Sequence, residues 1–180
     1  MAQEQFLSPG SVAGLRRLIG REIYTIFAPN LDAAGSHLAA WTLSMLLEKD
    51  RFLNFSCEWS ETPYFLNDSW QITVAEGQSP LNIAKNESGA LISPCTINLY
   101  GAKPITKIEI FSRSNISANE GIEETVNYDQ AIVFQCEEGR AFCIGCLLNG
   151  PGIATYLHFS ENREVIAAIV AESSVRLVVE

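Results

Sequence analysis

Residues 41–59, WTLSMLLEKDRFLNFSCEW, align without gaps on residues 130–148, QAIVFQCEEGRAFCIGCLL. Three identities fall in register: Glu48 with Glu137, Arg51 with Arg140 and Cys57 with Cys146. The apolar pairs Leu43/Ile132, Met45/Phe134, Leu53/Phe142 and Phe55/Ile144 keep the same phase. Internal similarity constrains architecture more than any single motif, because both copies must then fold as the same unit. Each copy alternates apolar and polar residues around a turn, at Lys49-Asp50 and at Glu137-Glu138-Gly139. A period of two sorts each apolar set onto one sheet face, so a β-hairpin is predicted twice.

The similarity continues outside the hairpins. LIG at 18–20 matches LYG at 99–101, and REIYTIF at 21–27 matches ITKIEIF at 105–111. The second half carries about five extra residues, within the polar and acidic stretch SRSNISANEGIEETVNYD at 112–129, read as an insertion. A short helix is expected over 11–19 with Ser11 as N-cap, a loop over 28–37, and a strand over 70–75. A turn is expected at 149–152, then a strand over 154–159, a helix near 163–171 and a final strand over 175–179. The expected fold is α+β, mainly antiparallel β, with two similar halves, 1–90 and 91–180, packed as one globular domain.

A chain of 180 residues can bury a substantial core, and nine Phe, five Tyr and three Trp supply the apolar surface. No apolar run reaches the ~18 residues needed to cross a bilayer. MAQEQFLSPG has neither a basic start nor an apolar central stretch, so a cytoplasmic protein is expected. Five cysteines without an export signal argue for reduced thiols, and the Asn-x-Ser sequons at Asn54, Asn67, Asn86 and Asn115 are then incidental. The formal charge of −9, from 21 acidic and 12 basic side chains, opposes nucleic-acid binding and suits a basic partner.

Catalytic signals are sparse. The chain has two histidines, His37 and His158, and lacks HExxH, GxxxxGK[ST], GxGxxG and GxSxG. Cys143 and Cys146 form a CxxC without a second pair, and in a strand their side chains point to opposite faces. Core packing is therefore expected for the cysteines, and no metal, cofactor or catalytic residue is assigned.

Two segments are better suited to binding. WSETPYFLNDSW at 59–70 concentrates Trp59, Tyr64, Phe65 and Trp70 in a connection, and large aromatics anchor interfaces. Glu120, Glu123, Glu124, Asp129, Glu137 and Glu138 form an acidic stretch that coincides with the insertion. The reading is a non-enzymatic cytosolic protein that binds and inhibits another, basic protein. Its most concrete form is an immunity protein covering the active site of a cognate bacterial toxin domain. The alternative is a small-molecule-binding module, or an enzyme without a linear motif, with its pocket between the two halves.

Overall fold

The computed structural model describes residues 2–34, 36–60, 62, 69–146 and 156–180. The first half contributes β1 (Ala2–Gln5), α1 (Pro9–Arg16), β2 (Thr25–Ala28), β3 (Asp32–Ala34), β4 (His37–Ala40), β5 (Thr42–Glu48), β6 (Arg51–Ser60) and β7 (Ser69–Gly77). The second contributes β8 (Cys95–Asn98), β9 (Ile105–Asn119), β10 (Ile122–Cys136), β11 (Ala141–Cys146), β12 (Leu157–Ser160), α2 (Arg163–Val170) and β13 (Ser174–Val179). The mainly antiparallel β architecture with two short helices agrees with the expected class.

The strands form two sheets. One has the order β7-β6-β5-β2-β8. The other runs β13-β9-β10-β11-β12-β4-β3, with β1 added in parallel to β10. Both expected hairpins are present. Leu43 pairs with Phe55 and Met45 with Leu53 in the first, and Ile132 with Ile144 and Phe134 with Phe142 in the second. Each turn takes a residue into the left-handed region, Asp50 (φ 57°) in the first and Glu138 (φ 56°) followed by Gly139 (φ 71°) in the second. The neighbours also correspond: β7-β6-β5-β2-β8 and β12-β11-β10-β9-β13 are the same succession of antiparallel pairs.

The inward faces of the two sheets make one core. Leu43, Met45, Leu53 and Phe55 meet Ile108, Ile110, Ile132, Phe134 and Ile144, all buried. The Phe55 and Phe134 rings cross edge to face at 6.2 Å, a geometry that adds to their area burial. Helix α2 covers the other face of the larger sheet, packing Ile166 and Ile169 on Ala131, Val133 and Cys143. Gly145 permits that approach, since a Cβ there would stand 2.8 Å from the Ile169 side chain.

Several local expectations are corrected. Helix α1 begins earlier, with Ser8 as N-cap accepting from the Ser11 amide at 3.1 Å and Pro9 following it; the Ser11 hydroxyl donates to the Val74 carbonyl instead. The stretch 28–37 is not all loop, because the last residue of β2, all of β3 and the first residue of β4 lie in it; β4 extends the larger sheet by pairing with β12. Pairing partners distant in sequence supplied what local composition did not show. The stretch 112–129 is likewise strand: β9 and β10 are 15 residues each and turn through Glu120 (φ 50°) and Gly121 (φ 83°), a two-residue hairpin turn with both residues left-handed. The expected turn at 149–152 and the start of the strand at 154–159 lie outside the described residues.

The expectation of reduced thiols fails for one pair. Cys57 on β6 and Cys146 on β11 form a disulfide between the two sheets, with Cα atoms 6.5 Å apart. The alignment of the two hairpins puts these cysteines in matching positions; facing the hairpins across one core brings those positions together. Cys95, Cys136 and Cys143 are free. The cross-link spans 89 residues, for which loop-closure entropy gives about 4–5 kcal/mol, against a typical 2–4 kcal/mol measured for such bonds. Alkylation of denatured, unreduced protein is expected to modify three cysteines, and five after reduction. Cys57→Ala/Cys146→Ala should lower the unfolding free energy by about 2–4 kcal/mol in denaturant melts.

Candidate functional site

The acidic stretch is continuous in sequence and divided in space. β10 runs from Ile122 to Cys136, so a rise of ~3.3 Å per residue separates its two ends by about 45 Å. Glu120 and Glu123 are exposed at one end. Glu137 and Glu138 are exposed at the other, where Glu138 pairs with Lys103 at 2.7 Å.

Glu124 and Asp129, expected among the solvated acids, are buried. The strand alternation turns Glu124 inward, where the Thr62 hydroxyl donates to it at 2.5 Å. Asp129 is wholly buried and accepts from the Leu7 amide (2.7 Å), the Ser112 hydroxyl (2.5 Å) and both arms of Arg176 (2.8 and 2.6 Å). A fork-on-carboxylate pair with further donors is how a buried charge is tolerated. Asp129 is thus a fastening inside the fold, and Arg176 is the partner that sequence reading missed.

The described ends of the aromatic segment, Ser60 and Thr62 among them, lie beside the outer part of the β9–β10 hairpin. Trp59 and Trp70 face each other across β6 and β7 with ring centroids 5.2 Å apart. Trp59 is 44% exposed, and Trp70 is half-buried against the core. The Thr62–Glu124 bond, and a 2.6 Å bond from Gln5 on β1 to Ser60, tie the end of the β6–β7 pair to that hairpin. Tyr64 and Phe65 lie outside the described residues. Two exposed isoleucines accompany the acids: Ile116 is 66% exposed and shares the outward face with Glu123, while Ile122 opens the return strand. The signal for both was present, since the turn residues Asn119-Glu120-Gly121 stand between Ile116 and Ile122.

The histidines meet elsewhere. His37 opens β4, His158 lies on β12, and their ring centroids are 4.6 Å apart. Leu157 and Phe159 point into the main core, so His158 points to the α2 side, beside Gly145. It is 2% exposed, and neither Nδ1 nor Nε2 has a hydrogen-bond partner. Burial above all, and then the neighbouring His37, pushes its pKa down to about 4. His37, less buried, borders a groove of about 420 Å³ lined by Ser36, Glu164, Val165, Ala168 and Ile169. It also borders a second groove, about 550 Å³, between the sheets, whose lining includes Thr96, Asn98, Phe159 and Ser160. Cys146 is taken by the disulfide and Cys143 faces α2, so the CxxC does not act as a knuckle.

Comparison with known protein families, curated proteins and solved structures finds no match to this chain.

Asp129→Asn is expected to cost about 3–5 kcal/mol in urea unfolding, because it uncouples Arg176 in a buried setting; Asp129→Leu/Arg176→Met should recover most of that loss. For His158 the folded pKa lies below the unfolded one, so the unfolded chain takes up the proton first. Stability is then fully present above about pH 6.5 and falls as pH drops toward about 4. His158→Phe should remove that part of the pH dependence, which paired melts of wild type and variant will read.

Proposed function

We propose that this is a non-enzymatic binding protein that captures a basic protein partner at the end of the sandwich where Thr62, between β6 and β7, meets the outer β9–β10 hairpin. The observation that carries the reading is the Thr62–Glu124 bond joining the two segments. It brings an exposed tryptophan and the hairpin bearing Ile116, Ile122, Glu120 and Glu123 to one end of the molecule. Aromatic and apolar anchors with a charged rim are the usual composition of such surfaces. The charge of −9 supports a basic partner by steering its approach. The most concrete form is an immunity protein that covers the active site of a cognate toxin domain. The Cys57–Cys146 cross-link supports action in an oxidising compartment rather than the cytoplasm, since such bonds are rare where glutathione keeps thiols reduced.

The shared strand order and hairpin register support a further part of this reading, that the two halves descend from one duplicated unit. The alternative of a small-molecule site is favoured by one specific observation, the groove between the sheets beside His37.

The test compares two charge reversals in capture experiments from the native host. Glu120→Lys/Glu123→Lys should slow association by about tenfold at low salt, with the difference shrinking as salt screens it. Glu137→Lys/Glu138→Lys, at the far end, should leave association unchanged. Trp59→Ala should hasten dissociation about 30-fold, corresponding to an anchor of ~2 kcal/mol. Capture indifferent to Glu120, Glu123 and Trp59 alike would overturn the proposal.

A further inference from the structure

We propose that His37 and His158 supply the protein ligands of an open site for a divalent transition ion of the imidazole-binding class, such as zinc, nickel or copper. Three observations carry this. His158 is buried with both ring nitrogens unpartnered. A neutral imidazole has one donor and one acceptor, and buried polar groups left without partners call for a specific cause, an ion among them. Second, a second imidazole stands against it. Metal–nitrogen bonds of 2.0–2.1 Å put each ring centroid about 3.2 Å from a shared ion. Centroids 4.6 Å apart then subtend about 90° at the ion, an octahedral angle and not far from a tetrahedral one. Third, there is a way in: His37 borders the groove under α2, with Ser36 and Glu164 beside it.

The charge state suits the chemistry. The neutral ring is the one that ligates, and the burial of His158 on the α2 side disfavours its charged form. The strand pairing brings the two rings together from opposite ends of the chain: Ala39 is the Cα partner of His158, and His37 lies two residues before it on the same face. Among the described residues, no third histidine, cysteine or carboxylate completes a ligand cluster with them. The remaining positions would be filled by water or by a group from a bound molecule, which makes the site open rather than structural.

The experiment uses the full chain with its disulfide intact, metal-free at the start, titrated calorimetrically with Zn²⁺, Ni²⁺ and Cu²⁺, with Mg²⁺ as a hard-ion control. Expected are one transition ion per chain, tightest for copper, and no binding of magnesium. His37→Gln, at the rim, should weaken binding at least tenfold with the circular dichroism spectrum unchanged. His158→Gln should do the same, and visible spectra of Co²⁺-loaded protein should lose their ligand-field bands in both. Cys95→Ser/Cys136→Ser should bind as wild type does. No saturable binding, or binding equal in wild type and His37→Gln, would overturn the proposal. Binding lost only with the cysteine changes would assign the ion to the thiols and overturn it as well.

Discussion

One buried carboxylate joins parts of this fold that hydrophobic packing alone leaves unspecified. Asp129 sits where β10 shifts register against β9, between Asp129 and Ala131. From there it takes hydrogen bonds from the segment after β1, from β9 and from β13. The apolar alternation of β5, β6, β10 and β11 is sufficient to face two sheets together. It does not say where the first residues of the chain or the last strand attach. A buried ion pair is weak as a source of net stability, because desolvation offsets its attraction, but it is strict about geometry. Arg176 adds to that strictness by lying over the Phe6 ring at 4.4 Å, so charge and aromatic contact place the N-terminal segment and β13 together. The β9–β10 pair is therefore fastened on both edges, by β1 on β10 at 125–128 and by β13 on β9 at 108–112.

What the sequence made legible follows from which forces are local. The two hairpins were readable because period-two alternation and turn residues are properties of contiguous segments. Their core contacts, Phe55 with Phe134 among them, follow from the same alternation once two such faces must bury each other. The narrow pair β3–β4 was not readable, since its residues lie in a stretch of Ala, Asn, Asp and Gly and gain strand character only from β12. Residues 112–129 carried a hairpin signal at Asn119-Glu120-Gly121 that polarity obscured. The acids there divide by strand phase: Glu123 faces out, while Glu124, one residue on, faces in. The same divergence applies to the cysteines. The lack of an export signal argued for reduced thiols throughout, whereas in the fold Cys57 and Cys146 are opposed across one core and joined.

Both candidate sites lie where the larger sheet departs from the order that the two sheets share. The common succession of five strands is β7-β6-β5-β2-β8 in one and β12-β11-β10-β9-β13 in the other. Beyond it the larger sheet adds β1, the pair β3–β4 and the outer lengths of β9 and β10. The proposed docking end uses the first and last of these additions. The histidine pair needs the middle one, since His37 reaches His158 only because β4 continues the sheet past β12. The smaller sheet, which keeps the shared order without added strands, contributes Trp59 and Trp70 at one end and the wall of the inter-sheet groove at Thr96 and Asn98. A scaffold that settles its core with two matched hairpins leaves its additions free of that duty. Those of their residues that do not turn inward as Glu124 and Asp129 do are left at the surface, and the exposed Ile116, Ile122, Glu120 and Glu123 on the longest of those additions show this most clearly.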